Sequence, residues 1–179
     1  MSLTYITGGV RSGKSEFAEN LATKFGRPVL YVAFGVNTDN EMLARIKAHQ
    51  QRRPNDWGVI EKPYELVSAC ARYRDYDVVL VDCFSTWLTN RCMRIPEEEL
   101  HNGKQRQDIL NEVTEWLSFV KKAPQQIIVV SSEVGLGGVA MSPLGRFFHD
   151  TLGKCNQLIA QEADEAYAVL SGLPLRLKP

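Results

Sequence analysis

LTYITGGVRSGKSEFAENLATKF, residues 3–25, runs from an apolar β-branched segment through a glycine-rich turn into a helical pattern. Its centre, Gly8-Gly9-Val10-Arg11-Ser12-Gly13-Lys14-Ser15, satisfies the spacing G-x-x-x-x-G-K-S/T in the strand–turn–helix setting that this motif requires. Glycines let the backbone bend so that successive N–H groups face inward as an anion nest. The helix that follows contributes unpaired donors and the positive end of its dipole. In such a loop Lys14 reaches the β- and γ-phosphates and the Ser15 hydroxyl ligates Mg²⁺. The stretch therefore predicts a nucleoside triphosphate held at the start of the first helix.

Outward from this loop, apolar runs alternate with helical patterns. Pro28–Ala33, Asp77–Asp82 and Gln126–Ser131 join Leu3–Thr7 as expected buried strands, and their continuous β-branched character fits a parallel sheet covered on both faces. Shorter strands are expected at Trp57–Glu61, Glu165–Ser171 and Leu173–Leu177, the last two forming a hairpin through Gly172. Helices are expected at Lys14–Phe25, Asn40–Arg52, Tyr64–Tyr73, Pro96–Lys121 with a break near Asn102–Gly103, and Ser142–Gln161. Pro63 and Pro143 stand near two of the starts, where proline is favoured. This order predicts a three-layer αβα fold of the P-loop NTPase, RecA-like kind. It has a mainly parallel sheet, a C-terminal hairpin and one domain over residues 1–179.

The chain of 179 residues carries 21 basic and 21 acidic side chains, so no basic excess points to nucleic acid. No apolar run spans a bilayer and no leader-like segment precedes the first strand, which argues against membrane insertion. Cys70, Cys83, Cys92 and Cys155 form no C-x-x-C pair and no zinc-like grouping with histidine. Reduced thiols and a cytoplasmic location are the expectation.

Ligands of open α/β sheets bind beyond the carboxyl ends of the strands. Asp82 closes the run DVVLVD, where a carboxylate can hold Mg²⁺, though capping the following segment FSTWLTN is an alternative role. Ala33-Phe34-Gly35 and Ser131-Ser132-Glu133 end two other strands on the same edge. Glu133 is a candidate base, with Gly135, Gly137 and Gly138 marking a loop beside it. The chain lacks the N-K-x-D and D-x-x-G segments of switch GTPases and the K-x-D-G of lysine nucleotidyltransferases. On an α-helix, Glu41, Arg45, His49 and Arg52 share one face at about 100° per residue. A neutral imidazole there is a competent nucleophile toward phosphorus, with Arg45, Arg52 and Arg53 available to neutralise charge. A lone helical histidine among arginines is more often a solvated or structural residue. A simple P-loop kinase and a nucleotide-binding regulator are the competing readings from spacing alone.

Four segments together resemble the bifunctional adenosylcobinamide kinase/adenosylcobinamide-phosphate guanylyltransferase family: TGGVRSGKS, YVAFGVNTDNEMLARIKAHQQRRPNDW, VVLVDCFSTWLTN and the run from SSEVGLGG to LRLK. R-I-x-x-H-x-x-x-R-P-x-x-W is the most specific part. The resemblance implies that His49 forms a covalent GMP intermediate. It further implies nucleotide contacts at Gly8–Ser15, Ala33–Gly35, Gln50, Gln51, Arg52, Arg53, Glu61 and Asp82. The implied substrates are ATP or GTP with Mg²⁺ and a corrinoid acceptor, and the implied assembly is a homotrimer. Phe34 stands where a small polar residue is usual, Ser131-Ser132 where Thr-Asn is commoner, and His149 where a basic residue is frequent. His149 is a secondary nucleophile candidate.

Overall fold

The computed structural model describes residues 2–25, 28–36, 54–101 and 103–178. The expected helix Asn40–Arg52, with His49 and Gln50–Arg53, lies outside the described residues.

Seven strands form one sheet: β1 Ser2–Gly8, β2 Val29–Ala33, β3 Gly58–Glu61, β4 Val78–Asp82, β5 Gln126–Ser132, β6 Glu165–Leu170 and β7 Leu173–Lys178. Their order across the sheet is β3-β2-β4-β5-β1-β6-β7, parallel throughout except for β7. The expected hairpin is present, turning through Ser171 and Gly172 at φ 50° and 81°. β1 lies between β5 and β6, and β5 separates β1 from β4.

Strand alternation sends side chains into two cores. Ile6, Tyr31, Val78, Leu80, Ile128, Val130 and Val169 pack with Ala18 and Ala22 of α1, Lys14–Lys24. Leu3, Tyr5, Leu30, Val32, Val79, Val81, Ile127 and Val129 face the opposite way. They meet α2 Phe84–Cys92, α3 Gly103–Val120 and α4 Pro143–Glu162. Both faces of the central strands are thus covered, which is why those strands carry no polar alternation. Trp87 and Trp116 are fully buried, and each indole N–H keeps a partner: Tyr64 O at 3.1 Å and Tyr73 Oη at 3.3 Å.

Helix ends follow local chemistry. Ser142 caps α4 by accepting the Gly145 N–H at 3.0 Å, and Pro143 occupies the first turn. The expected long helix from Pro96 is two pieces, a 3₁₀ turn at Glu97–Glu99 and then α3. Tyr64–Tyr73 is not an α-helix; a 3₁₀ segment runs from Ser68 to Asp75 instead. The carbonyls of Pro63 and Tyr64 explain the difference. They accept from Asn90 and Trp87 of α2, and so are diverted from helical bonding. Among the described residues no helix is long and apolar enough to cross a membrane.

Candidate active site

The glycine-rich turn closes tightly on itself. Ser12 N–H donates to Gly9 O at 3.3 Å and Phe17 N–H to Gly13 O at 3.0 Å. Gly13 has φ 91°, the left-handed region where a side chain is costly. Gly8 is needed for space, because a Cβ there would sit 2.5 Å from both Ser12 Oγ and Val169 O. Two neighbouring elements brace the loop. Glu133 N–H, from the end of β5, donates to Gly8 O at 3.0 Å, and Gly172 N–H, from the hairpin turn, donates to Ser12 O at 2.8 Å. Lys14 is only 9% exposed, and its ammonium donates to Gly9 O at 3.0 Å, inside the curve of the loop.

Asp82 meets this loop because of strand parity. Val78, Leu80 and Asp82 alternate toward the α1 side of the sheet, so the carboxylate that ends β4 faces the first turn of α1. Ser15 Oγ donates to Asp82 Oδ1 at 3.1 Å, and Tyr31 Oη from β2 donates to Oδ2 at 2.9 Å. Asp82 is 7% exposed. Capping α2 is not its role: Cys83 occupies that position, and no side chain caps the helix. Tyr31 is a site residue that sequence reasoning missed.

The remaining expected positions spread along the same edge. Glu61, Ala33 and Asp82 stand level across β3, β2 and β4 by register. Glu61 is exposed at its strand end. Phe34 is fully buried and its carbonyl accepts from Asn90 Nδ2 at 2.7 Å, so its side chain belongs to the core and not to a ligand surface. Val10 and Arg11 are exposed at the crest of the loop, Arg11 with φ 56°. His149 lies half-buried on α4 with its ring edge-on to Phe148, and His101 is exposed.

Behind the edge runs a polar chain of which the sequence pointed only to Ser131 and Ser132, and not to Ser85 or Asn156. Ser131 Oγ donates to Asn156 Oδ1 at 2.7 Å, Asn156 Nδ2 to Ser132 O at 3.1 Å, and Ser85 Oγ to Ser132 Oγ at 3.1 Å. These bonds tie the last residues of β5 to α2 and α4, and so fix where Glu133 begins. Burial raises the Tyr5 hydroxyl pKa well above its ordinary value, with the Glu133 charge adding to the shift, so that hydroxyl stays protonated.

One edge of the sheet thus gathers an anion-binding loop, a buried lysine, and a hydroxyl beside a carboxylate. The Ser15 and Asp82 oxygens suit a hard cation such as Mg²⁺, which takes one or two protein ligands and completes its shell with phosphate oxygens and water. Such a set can bind a triphosphate and stabilise charge moving between its phosphoryl groups.

Residues 4–177 match the family described as cobinamide kinase / cobinamide phosphate guanyltransferase. The bifunctional adenosylcobalamin biosynthesis protein CobU of Escherichia coli is 35% identical over 97% of this chain and 98% of its own. The CobP protein of Pseudomonas aeruginosa, named for the same bifunctional role, is 37% identical over 97% and 95%. Two solved structures share the fold: the flagellar accessory protein FlaH of Methanocaldococcus jannaschii and the RadB recombinase. FlaH has a TM-score of 0.56 and 17% identity over 99% of this chain and 78% of that one. RadB has a TM-score of 0.52 and 15% identity over 93% and 73%.

Proposed function

The chain belongs to the cobinamide kinase / cobinamide phosphate guanyltransferase family, and we propose that it carries out both transfers on the edge built around Gly8–Ser15. In the first, a nucleoside triphosphate phosphorylates the aminopropanol hydroxyl of adenosylcobinamide. In the second, GMP from GTP passes to the phosphorylated corrinoid, giving adenosylcobinamide-GDP for cobalamin assembly. The observation that carries this reading is the family match across residues 4–177, joined to the meeting of Ser15 and Asp82 beside the loop.

In the kinase step the acceptor oxygen attacks the γ-phosphorus, the bridging bond to the β-phosphate oxygen breaks, and the nucleoside diphosphate leaves. Amides of Gly8–Ser15 and the Lys14 ammonium hold the β- and γ-phosphates and take up the charge that develops there. We assign receipt of the hydroxyl proton to Glu133, whose backbone N–H donates to Gly8 O of the loop. Ser15 and Asp82 would hold Mg²⁺, which supplies further neutralisation of the phosphate oxygens.

The transferase step uses His49 in the same proposal. An uncharged imidazole nitrogen attacks the α-phosphorus of GTP, the α–β bridging bond breaks, and pyrophosphate leaves. A phosphate oxygen of the acceptor then displaces the imidazole and takes the GMP. Dividing the transfer into two displacements keeps water from competing with a bulky acceptor for the activated phosphorus. Gln50–Arg53, Ala33, Gly35 and Glu61 are assigned to the nucleotide by the same family pattern.

The test is intact mass after incubation with GTP and Mg²⁺. An acid-labile GMP adduct is expected, absent in His49→Ala and in Lys14→Ala, while His49→Ala keeps corrinoid phosphorylation. Phosphorylation without any adduct in the unsubstituted protein would reduce the activity to a kinase alone. Normal turnover in Lys14→Ala would contradict the phosphate site.

A further inference from the structure

The loop that leaves β5 exposes three large apolar side chains in six residues. Leu136, Val139 and Met141 are 86%, 83% and 95% exposed, and no residue from Val134 to Gly145 is charged. Single exposed apolar residues are ordinary, but a cluster on a functional edge marks a surface that something covers. Nor is the loop simply loose. Glu133 Oε1 accepts the Gly135 N–H at 3.1 Å, and Gly137 N–H donates to Val134 O at 3.3 Å. Arg146 Nη1 then ties down its far end, donating to Ala140 O at 3.2 Å and Met141 O at 2.7 Å. These bonds hold the backbone while leaving the apolar side chains in water.

Topology says what reaches this surface. β5 lies between β1, which leads into the phosphate loop, and β4, which ends at Asp82. The loop therefore leaves the sheet between the strand end that carries the phosphate loop and the one that carries Asp82. On the function proposed above, the acceptor hydroxyl has to reach this same edge of the sheet. A Cβ at Gly137 or Gly138 would meet nothing within 4 Å, so a broad, flat group can approach the backbone there.

We propose that Leu136, Val139 and Met141 form the platform on which the corrin macrocycle of the acceptor lies. This rests on the function proposed above. The macrocycle is wide, methyl-studded and fringed with neutral amides, so it needs apolar area and gains nothing from charge. An uncharged loop with three extended apolar side chains supplies that chemistry beside the reacting phosphate.

The test is the triple variant Leu136→Ser/Val139→Ser/Met141→Ser, assayed with adenosylcobinamide and triphosphate, with corrinoid binding measured in parallel by equilibrium dialysis. KM and Kd for the corrinoid should rise about tenfold or more, the scale set by losing apolar contacts in a substrate site. KM for the triphosphate, and the GMP adduct formed without corrinoid, should not change, which establishes that the fold and nucleotide site are intact. An unchanged corrinoid KM and Kd would overturn the platform. So would an unchanged KM accompanied by a smaller mass in light scattering, which would assign the patch to contact between copies. If the unsubstituted protein binds corrinoid and the variant does not, the platform holds even where phosphorylation fails. If the unsubstituted protein neither binds nor phosphorylates corrinoid, the parent reading falls and the platform with it.

Discussion

Asp82 takes hydrogen bonds from two elements, Ser15 on α1 and Tyr31 on β2. Asp82→Asn keeps the shape and one acceptor oxygen but removes the charge a cation needs. Phosphorylation is expected to fall by about 100-fold or more, the scale for removing one preorganised electrostatic contact. The Mg²⁺ concentration for half-maximal rate should rise, and the far-UV spectrum should not change; a Mg²⁺ titration of the initial rate checks this. The position of Asp82 was legible because a carboxylate closing a buried strand is conspicuous. Tyr31 was not, since its hydroxyl acts from a neighbouring strand and the β2–β4 adjacency is not written in either segment. Asn156 was hidden for the same reason, 25 residues beyond the Ser131 it holds. His49 was ambiguous from helical spacing and gained its role only through a family pattern.

At the scale of elements, the hairpin turn has a job beyond joining β6 to β7. Gly172 sits at φ 81° and its N–H holds Ser12 O, so the turn sets the far wall of the phosphate loop. Gly172→Ala keeps the donor and meets no steric contact, yet forces an L-residue into the left-handed region. A loss of about 1 kcal/mol follows, or a fall in Tm of about 2–4 °C for a chain of this size, measurable by calorimetry. An unchanged Tm would mean the turn relaxes. The strands were read almost to the residue, because continuous β-branched runs flanked by turn residues leave few alternatives. The 64–73 segment was misread because its local pattern is helical, whereas its carbonyls serve Asn90 and Trp87 from a distant helix. Propensity gave way to tertiary hydrogen bonding.

Across the whole molecule, burial controls the thiols. It pushes Cys92 and Cys155 up to about 12 and Cys70 up to about 11, against an ordinary value of 9.0. Each raised pKa means the unfolded chain sheds its proton first. The associated stability is complete below about pH 9 and is lost as the pH climbs toward 12. Urea midpoints should fall steadily over that alkaline range, and iodoacetamide at pH 8 should label Cys92 and Cys155 only as fast as the protein opens. Rapid labelling in the native state would contradict their burial. The two-sided core was legible from the runs themselves, but the sheet order was not, since sequence shows which segments are strands and leaves their neighbours undetermined. That order has a consequence for biosynthesis. The strand that presents the phosphate loop is flanked by partners that enter the chain more than 120 residues later, Ser2 opposite Gln126 and Thr4 opposite Glu165. A ribosome must therefore extrude most of the polypeptide before its opening segment finds either neighbour. The nascent chain carries this buried strand unpaired until then, a natural client for a chaperone, and it acquires nucleotide affinity only near the close of translation.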